Sequence, residues 1–182
     1  MTVPLVVIIA LAIGALSGGG GASPSSTPSV LPPLSPAGPP HAVAEQKACT
    51  KVLAQLPVQI GKLAQRIVHP HPDSPFVVAW GDPAVVLSCG VDRPKDLHPG
   101  SAAEFQSGGI DTGPYYDVSS SGAANVWTTV DRGPYIAITV PATYQGADVL
   151  PPLSRAIADA LPAVCSTDPS TPDVSKLCTR RT

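Results

Sequence analysis

The sequence predicts an α+β fold: a small antiparallel sheet packed against N- and C-terminal helices and stabilised by disulfides. Three observations carry this. Apolar side chains recur at three- and four-residue steps in two stretches, 45–67 and 148–165, which is the period of an amphipathic helix. Between them lie short β-branched runs separated by Gly- and Pro-containing turns, the pattern of antiparallel strands. Helix, strands and helix in that order make two layers around one core. Four cysteines, all after residue 45, form an even set suited to disulfides in an oxidising compartment.

The chain opens with "VPLVVIIALAIGAL", Val3 to Leu16, fourteen almost wholly apolar residues followed by Ser17 and four glycines. A bilayer-spanning helix needs about 20 apolar residues, so the run matches the apolar region of an export signal, with a cut expected after Ala22. No Lys or Arg precedes it and residues 1–21 are uncharged, so retention as an N-terminal membrane anchor is the alternative. Lipidation is rejected, because no cysteine stands where a lipid would attach. Residues 23–44 carry seven prolines and no charged side chain and lack the apolar surface to offset their ordering entropy. They read as a Pro/Ser-rich disordered tether that reaches on the order of 65 Å in polyproline geometry.

Residues 45–166 read as the folded domain. In "AEQKACTKVLAQLPVQIGKLAQRIV" the positions Cys49, Val52, Leu53, Leu56, Ile60, Leu63 and Ile67 form one helical stripe, with a kink or break expected at Pro57. "HPHPDSP" ends that helix. Strand signals follow in "PAVVLSCGV", where Val85, Leu87, Cys89 and Val91 share a face, and in a short run around Tyr115 to Val118. "ANVWTTVD" and "YIAITVP" flank Arg132-Gly133-Pro134 as a hairpin, with Ile136, Ile138 and Val140 on its apolar face. The last helix carries Leu150, Leu153, Ile157, Leu161 and Val164 on its stripe. Asp148 is its expected N-cap, which places Pro151 and Pro152 in the first turn where proline is tolerated. Residues 167–182 read as an irregular polar tail.

Cys89 poses a choice between a reactive thiol and half of a disulfide. A nucleophile needs a histidine base and an electropositive setting. Of the four histidines, His41 lies in the tether, His69 and His71 in a proline-rich loop, and His98 nine residues past Cys89. Periodicity puts Cys49 on the buried stripe of a helix and Cys89 on the apolar face of a strand, so their sulfurs meet if that helix packs on that sheet. Cys165 ends the last helix and Cys178 lies thirteen residues on. The expected pairs are therefore Cys49–Cys89 and Cys165–Cys178, and no catalytic residue is assigned.

No metal or cofactor is expected: there is no C-x-x-C, phosphate loop, dinucleotide fingerprint or G-x-S-x-G elbow. "HPHP" supplies only two imidazoles. A formal charge of −2 without a long basic run leaves no footprint for nucleic acid, and contact with a membrane is expected only through the N-terminal segment. The tripeptide Val-Asp-Arg occurs twice, at 91–93 and 130–132. Each copy closes a strand, which is first a turn device. If both turns share one sheet end, Asp92, Arg93, Asp131 and Arg132 become a candidate ligand site, where the arginines hold a carboxylate or phosphate bidentately. Trp80 and Trp127 are its candidate aromatic platforms. Among Asp82, Asp92, Asp111 and Asp131 no spacing singles out a hydrolytic pair.

"AWGDPAVVLSCGV" together with "VWTTVDR", between a Cys-containing helix and "LSRAIADALP", resembles domain-of-unknown-function family 3515. The resemblance covers roughly Cys49 to Cys165, and Cys49 and Cys89 match the family's helix and strand cysteines. It implies an exported or membrane-anchored envelope protein of high-GC Gram-positive bacteria and assigns no activity. The expectation is an extracytoplasmic, cell-envelope protein with a non-enzymatic binding or accessory role, its partner a wall component or envelope protein. The alternative is a small envelope hydrolase using Asp92, Asp131 and His98. An exposed Trp127 would favour binding; a buried one would favour a structural accessory role.

Overall fold

A computed structural model describes residues 31–69, 76–95, 97, 106–107, 109 and 113–163. The expected leader, residues 23–30 of the tether and the tail lie outside these residues. So do His71, His98, Asp111, Cys165 and Cys178.

Helix α1 (Gln46–Leu53) is followed by eight strands: β1 (Gln59–Ile60), β2 (Leu63–Arg66), β3 (Val77–Trp80), β4 (Val85–Cys89), β5 (Gln106–Ser107), β6 (Tyr115–Ser120), β7 (Ala124–Thr129) and β8 (Ile136–Pro141). Helix α2 (Gly146–Ala160) closes the order. The strands run β1-β2-β3-β4-β8-β7-β6-β5 across the sheet, and every neighbouring pair is antiparallel. Two four-stranded meanders thus meet where β4 pairs with β8. The α+β class, the antiparallel sheet and the helices at both ends of the domain are as the sequence predicts.

One row of the sheet shows why these strands hold register. Leu87, Ile138, Trp127 and Val118 lie opposite one another across β4, β8, β7 and β6, so they share a face. Both helices cover that face. Cys49 and Val52 of α1, and Val149, Leu150, Leu153 and Ile157 of α2, are buried in the same cluster as Val85, Leu87, Cys89, Ile136, Ile138 and Val140. A slip of one residue in β8 would send Ile136, Ile138 and Val140 to the opposite face.

The first helix is much shorter than its stripe predicts. It stops at Leu53, and residues 59–66 form a hairpin. Pro57 removes a backbone donor, and Gly61 takes a φ of +56° in the turn, which costs glycine little. Ile60 stays buried at 2% exposure, whereas Ile67, counted on the expected stripe, is 58% exposed. Strand β3 is absent from the sequence pattern; its Val77, Ala79 and Trp80 are all buried, so "FVVAW" lacks the alternation that marks a half-buried strand. Helix α2 begins two residues before Asp148, with Gln145 at the N-cap position. Asp148 is therefore a first-turn acid, and Pro151 and Pro152 stand in the second turn. The helix ends at Ala160, with Leu161 extended ahead of Pro162.

Where composition predicts a disordered tether, residues 31–44 lie on the domain, and its compact unit begins at Leu31. Leu34 forms a parallel bridge with Val68, and Arg66 Nη2 donates to the Pro32 carbonyl at 2.7 Å. Further along, the His41 amide donates to the Gly90 carbonyl at 2.9 Å, and Ala42 is fully buried. Gly90 has a φ of +87°, and a Cβ there would stand 2.7 Å from the Ala42 backbone. Only glycine accommodates that approach.

Candidate functional site

Cys49 on α1 and Cys89 at the end of β4 are joined, their Cα atoms 5.7 Å apart across 40 residues of sequence. This is the expected pair, and it removes Cys89 from consideration as a nucleophile in the oxidised protein. No free cysteine occurs among the described residues, and no group of three or more His, Cys, Asp or Glu side chains there is placed to hold a metal. The expected Cys165–Cys178 pair lies outside the described residues.

The two Val-Asp-Arg turns do share one end of the sheet, because β4 and β7 both run antiparallel to β8 and flank it. Their burial differs. Asp131 and Arg132 are 6% and 3% exposed. Arg132 Nη2 and Nε donate to the two Asp131 carboxylate oxygens at 2.7 and 3.1 Å, and Nη1 donates to the Leu161 carbonyl at 2.8 Å. Asp131 also accepts the Tyr115 amide at 3.1 Å. This pair fastens the end of α2 to the rim of the sheet and leaves Arg132 nothing to offer a soluble anion. Asp92 and Arg93 are exposed, with Asp92 Oδ1 2.8 Å from His41 Nε2. Asp131 and Arg132 are thus engaged with each other inside the protein, and Asp92 stands beside His41 at the surface.

Neither tryptophan stands as an open platform. Trp80 is fully buried and its Nε1 donates to the Pro57 carbonyl at 2.8 Å, locking the turn after α1 to β3. Trp127 is half-buried. Its ring meets Tyr116 edge-on at 6.0 Å between centroids, a favourable aromatic geometry, and its Nε1 is buried without a partner among the described residues. The Tyr116 hydroxyl and Ser154 Oγ, both buried, share a hydrogen bond of 2.9 Å. Burial raises the Tyr116 phenol well above the ordinary tyrosine value, against a smaller opposing effect of the Ser154 bond. The Tyr116–Ser154 bond ties α2 to the sheet.

One open concavity lies on the helical layer. A groove of about 420 Å³ runs between the end of α1 and the outer side of α2. Pro57 and Gln55 form one bank, and Pro151, Pro152 and Ala156 form the other. Arg155 and Asp159, one helical turn apart, stand along it exposed. No ion pair joins them to each other or to another described residue. Sequence reading misses this site: it takes the prolines as helix-start residues and assigns no role to the two charges. The available signal is an Arg and an Asp four apart, off the apolar stripe and following a Pro-Pro step.

No curated protein and no solved structure matches this chain. A family description does, and over most of its length: "Protein of unknown function (DUF3515)" matches residues 1–165. It is the family that the paired-cysteine strand and the Val-Trp-Thr-Thr-Val-Asp-Arg strand resemble, and with that span matched the chain belongs to family DUF3515.

Proposed function

We propose that this chain is an exported cell-envelope protein, membrane-anchored or secreted, that serves as a binding or accessory domain. The observation that carries the binding reading is the groove on the helical layer, apolar in its banks and edged by two charges that no ion pair occupies among the described residues. Its volume falls in the usual range of binding sites, about 300–1,000 Å³. The disulfide supports the compartment, because such bonds persist outside the reducing cytosol, and the apolar leader supports export. The hydrolase alternative draws no support from Asp131, whose carboxylate is occupied by Arg132 and the Tyr115 amide.

Two measurements test the proposal. Alkylation and intact mass of the protein, taken from its native compartment without reductant, should find Cys49 and Cys89 unmodified; alkylation of both would refute export. Equilibrium binding of the full chain to purified wall fragments and to envelope extracts should show saturable retention by one of them. Retention by neither would refute the binding role.

A further inference from the structure

We propose that the N-terminal flank of the domain, made by the β1–β2 hairpin, α1 and the docked segment 31–44, lies on an anionic lipid surface. This rests on the exported, membrane-anchored form of the reading above and is independent of the groove.

Charge points to this occupant first. Residues 46–72 hold Lys47, Lys51, Lys62 and Arg66 and no acid. The rest of the chain carries seven basic residues against thirteen acidic ones, so a formal charge of −2 conceals a basic flank on an acidic protein. Asp82 meets Arg66. The three lysines are exposed and make no ion pair with a described residue. Lys47 and Lys51 stand one turn apart on the side of α1 away from the buried Cys49 and Val52, and Lys62 sits at the tip of the hairpin. Each lysine brought to an anionic bilayer favours docking by about fivefold.

Apolar exposure falls in the same flank. Val58 is 76% and Ile67 58% exposed, and with Val43 they are the large hydrophobic side chains left open among the described residues. Register places Val58 opposite Gln65, and Ile67 follows two residues later, so both share the Gln65 side of the hairpin. Gln65 pairs with Trp80, a core residue, so this is the side that the helices cover. The Leu34–Val68 bridge brings Pro33 alongside Ile67. A soluble polyanion would engage the lysines alone. A bilayer interface takes both sets, aliphatic groups at the acyl boundary and ammonium groups among the phosphates. Chain length argues the same way. With residues 31–44 laid on the domain, residues 23–30 alone separate it from the apolar leader, under about 30 Å at full extension. The chain joins the domain at Pro32, which is hydrogen-bonded to Arg66 next to Ile67.

The test inserts the full chain, isotopically labelled, into lipid nanodiscs that carry a paramagnetic headgroup lipid, and reads amide line broadening. In phosphatidylglycerol discs at low salt, Val58, Lys62 and Ile67 are expected to broaden strongly. Gly122, in the β6–β7 turn, should be spared, since β7 lies four strand spacings from β2, about 19 Å. Each single lysine-to-glutamine change should weaken docking about fivefold. Lys47→Gln/Lys51→Gln/Lys62→Gln, or a change to phosphatidylcholine discs, should bring the three sites down to the Gly122 level. Val58→Ser/Ile67→Ser should also reduce the contrast; an unchanged contrast would mark a site for any polyanion and overturn the proposal. All five positions are exposed, so urea midpoints should stay at the wild-type value in every variant. Equal broadening at Gly122 and Val58 in phosphatidylglycerol discs, or a contrast that survives the triple substitution, overturns the proposal. So does broadening of Val58 and Ile67 that grows with protein concentration in lipid-free detergent, which would assign the face to a second copy. Export stands or falls on alkylation of the native protein and the groove on retention of envelope material, so those failures are distinguishable from this one.

Discussion

Reducing the Cys49–Cys89 bond should cost the domain about 4 kcal/mol at 25 °C. The figure comes from the closed loop: 40 residues separate the cysteines, and the chain-entropy relation gives about that value for such a length. Both half-cystines are fully buried, and a reduced thiol packs as a small apolar group, so reduction opens no cavity and the loop entropy should dominate. Against a typical domain stability of about 5–15 kcal/mol, the loss is large. The assay is urea unfolding followed by circular dichroism, with and without a phosphine reductant, in a Cys165→Ser/Cys178→Ser background that removes the other thiols. With urea slopes of about 1–3 kcal/mol per molar, the midpoint should fall by roughly 1.3–4 M. Hydrogen exchange should show α1 opening first, since an eight-residue helix is far below the length of about 12–15 residues needed to persist alone. Equal midpoints in the two states would refute the reasoning, because the crosslink would then be constraining nothing that the folded packing does not already hold.

Four further outcomes derive from the packing. Gly90→Ala should destabilise by about 2–4 kcal/mol, from a disfavoured φ and a forced retreat of Ala42, and should make residues 31–44 sensitive to limited proteolysis. Gly122→Ala, whose φ is +79° but whose Cβ would meet nothing, should cost only about 1 kcal/mol and leave that segment protected. Arg132→Met should cost about 3–5 kcal/mol by leaving Asp131 charged and unpaired inside the protein; Asp131→Asn added to it should recover part of the loss in urea titrations. Because burial raises the Tyr116 pKa in the folded state, its contribution is fully present below the unfolded tyrosine value of about 10 and is lost as pH rises beyond it. Urea midpoints should therefore drop more steeply above pH ~10 in the wild type than in Tyr116→Phe.

How far the fold is legible depends on which surfaces each segment covers. Strand β4 and the β7–β8 hairpin announce themselves because one face is buried and the other half-open, so alternation survives in the residues. The disulfide is legible for the same reason: period alone places both cysteines inward. Strand β3 is buried along most of its length, and its apolar run reads as no particular element. The stretch after α1 misleads because Ile60 and Leu63 satisfy helical spacing while serving as hairpin residues. A proline there says only that the helix is interrupted; it does not say that a hairpin comes next. Tertiary context also decides the charged turns. Asp131 and Arg132 look like Asp92 and Arg93 on paper, yet the carbonyl of Leu161, 29 residues on, draws the second pair inside. Proline-rich composition, finally, reports the lack of a core and not the presence of a neighbour, so the docking of Leu34 and Ala42 leaves no compositional mark.

The covalent link between α1 and β4 also decides how this domain carries a load. Tension applied between its N-terminal strap and its C-terminal helix first peels the Leu34–Val68 bridge and draws Ala42 from beneath Gly90. Past Cys49 the force passes through sulfur directly into β4, a strand paired on both sides. The 40 residues between the cysteines, about 140 Å of contour length, are short-circuited and bear none of it. Strands β1, β2 and β3 thus sit outside the force path, and a pull on the strap is delivered to the centre of the sheet.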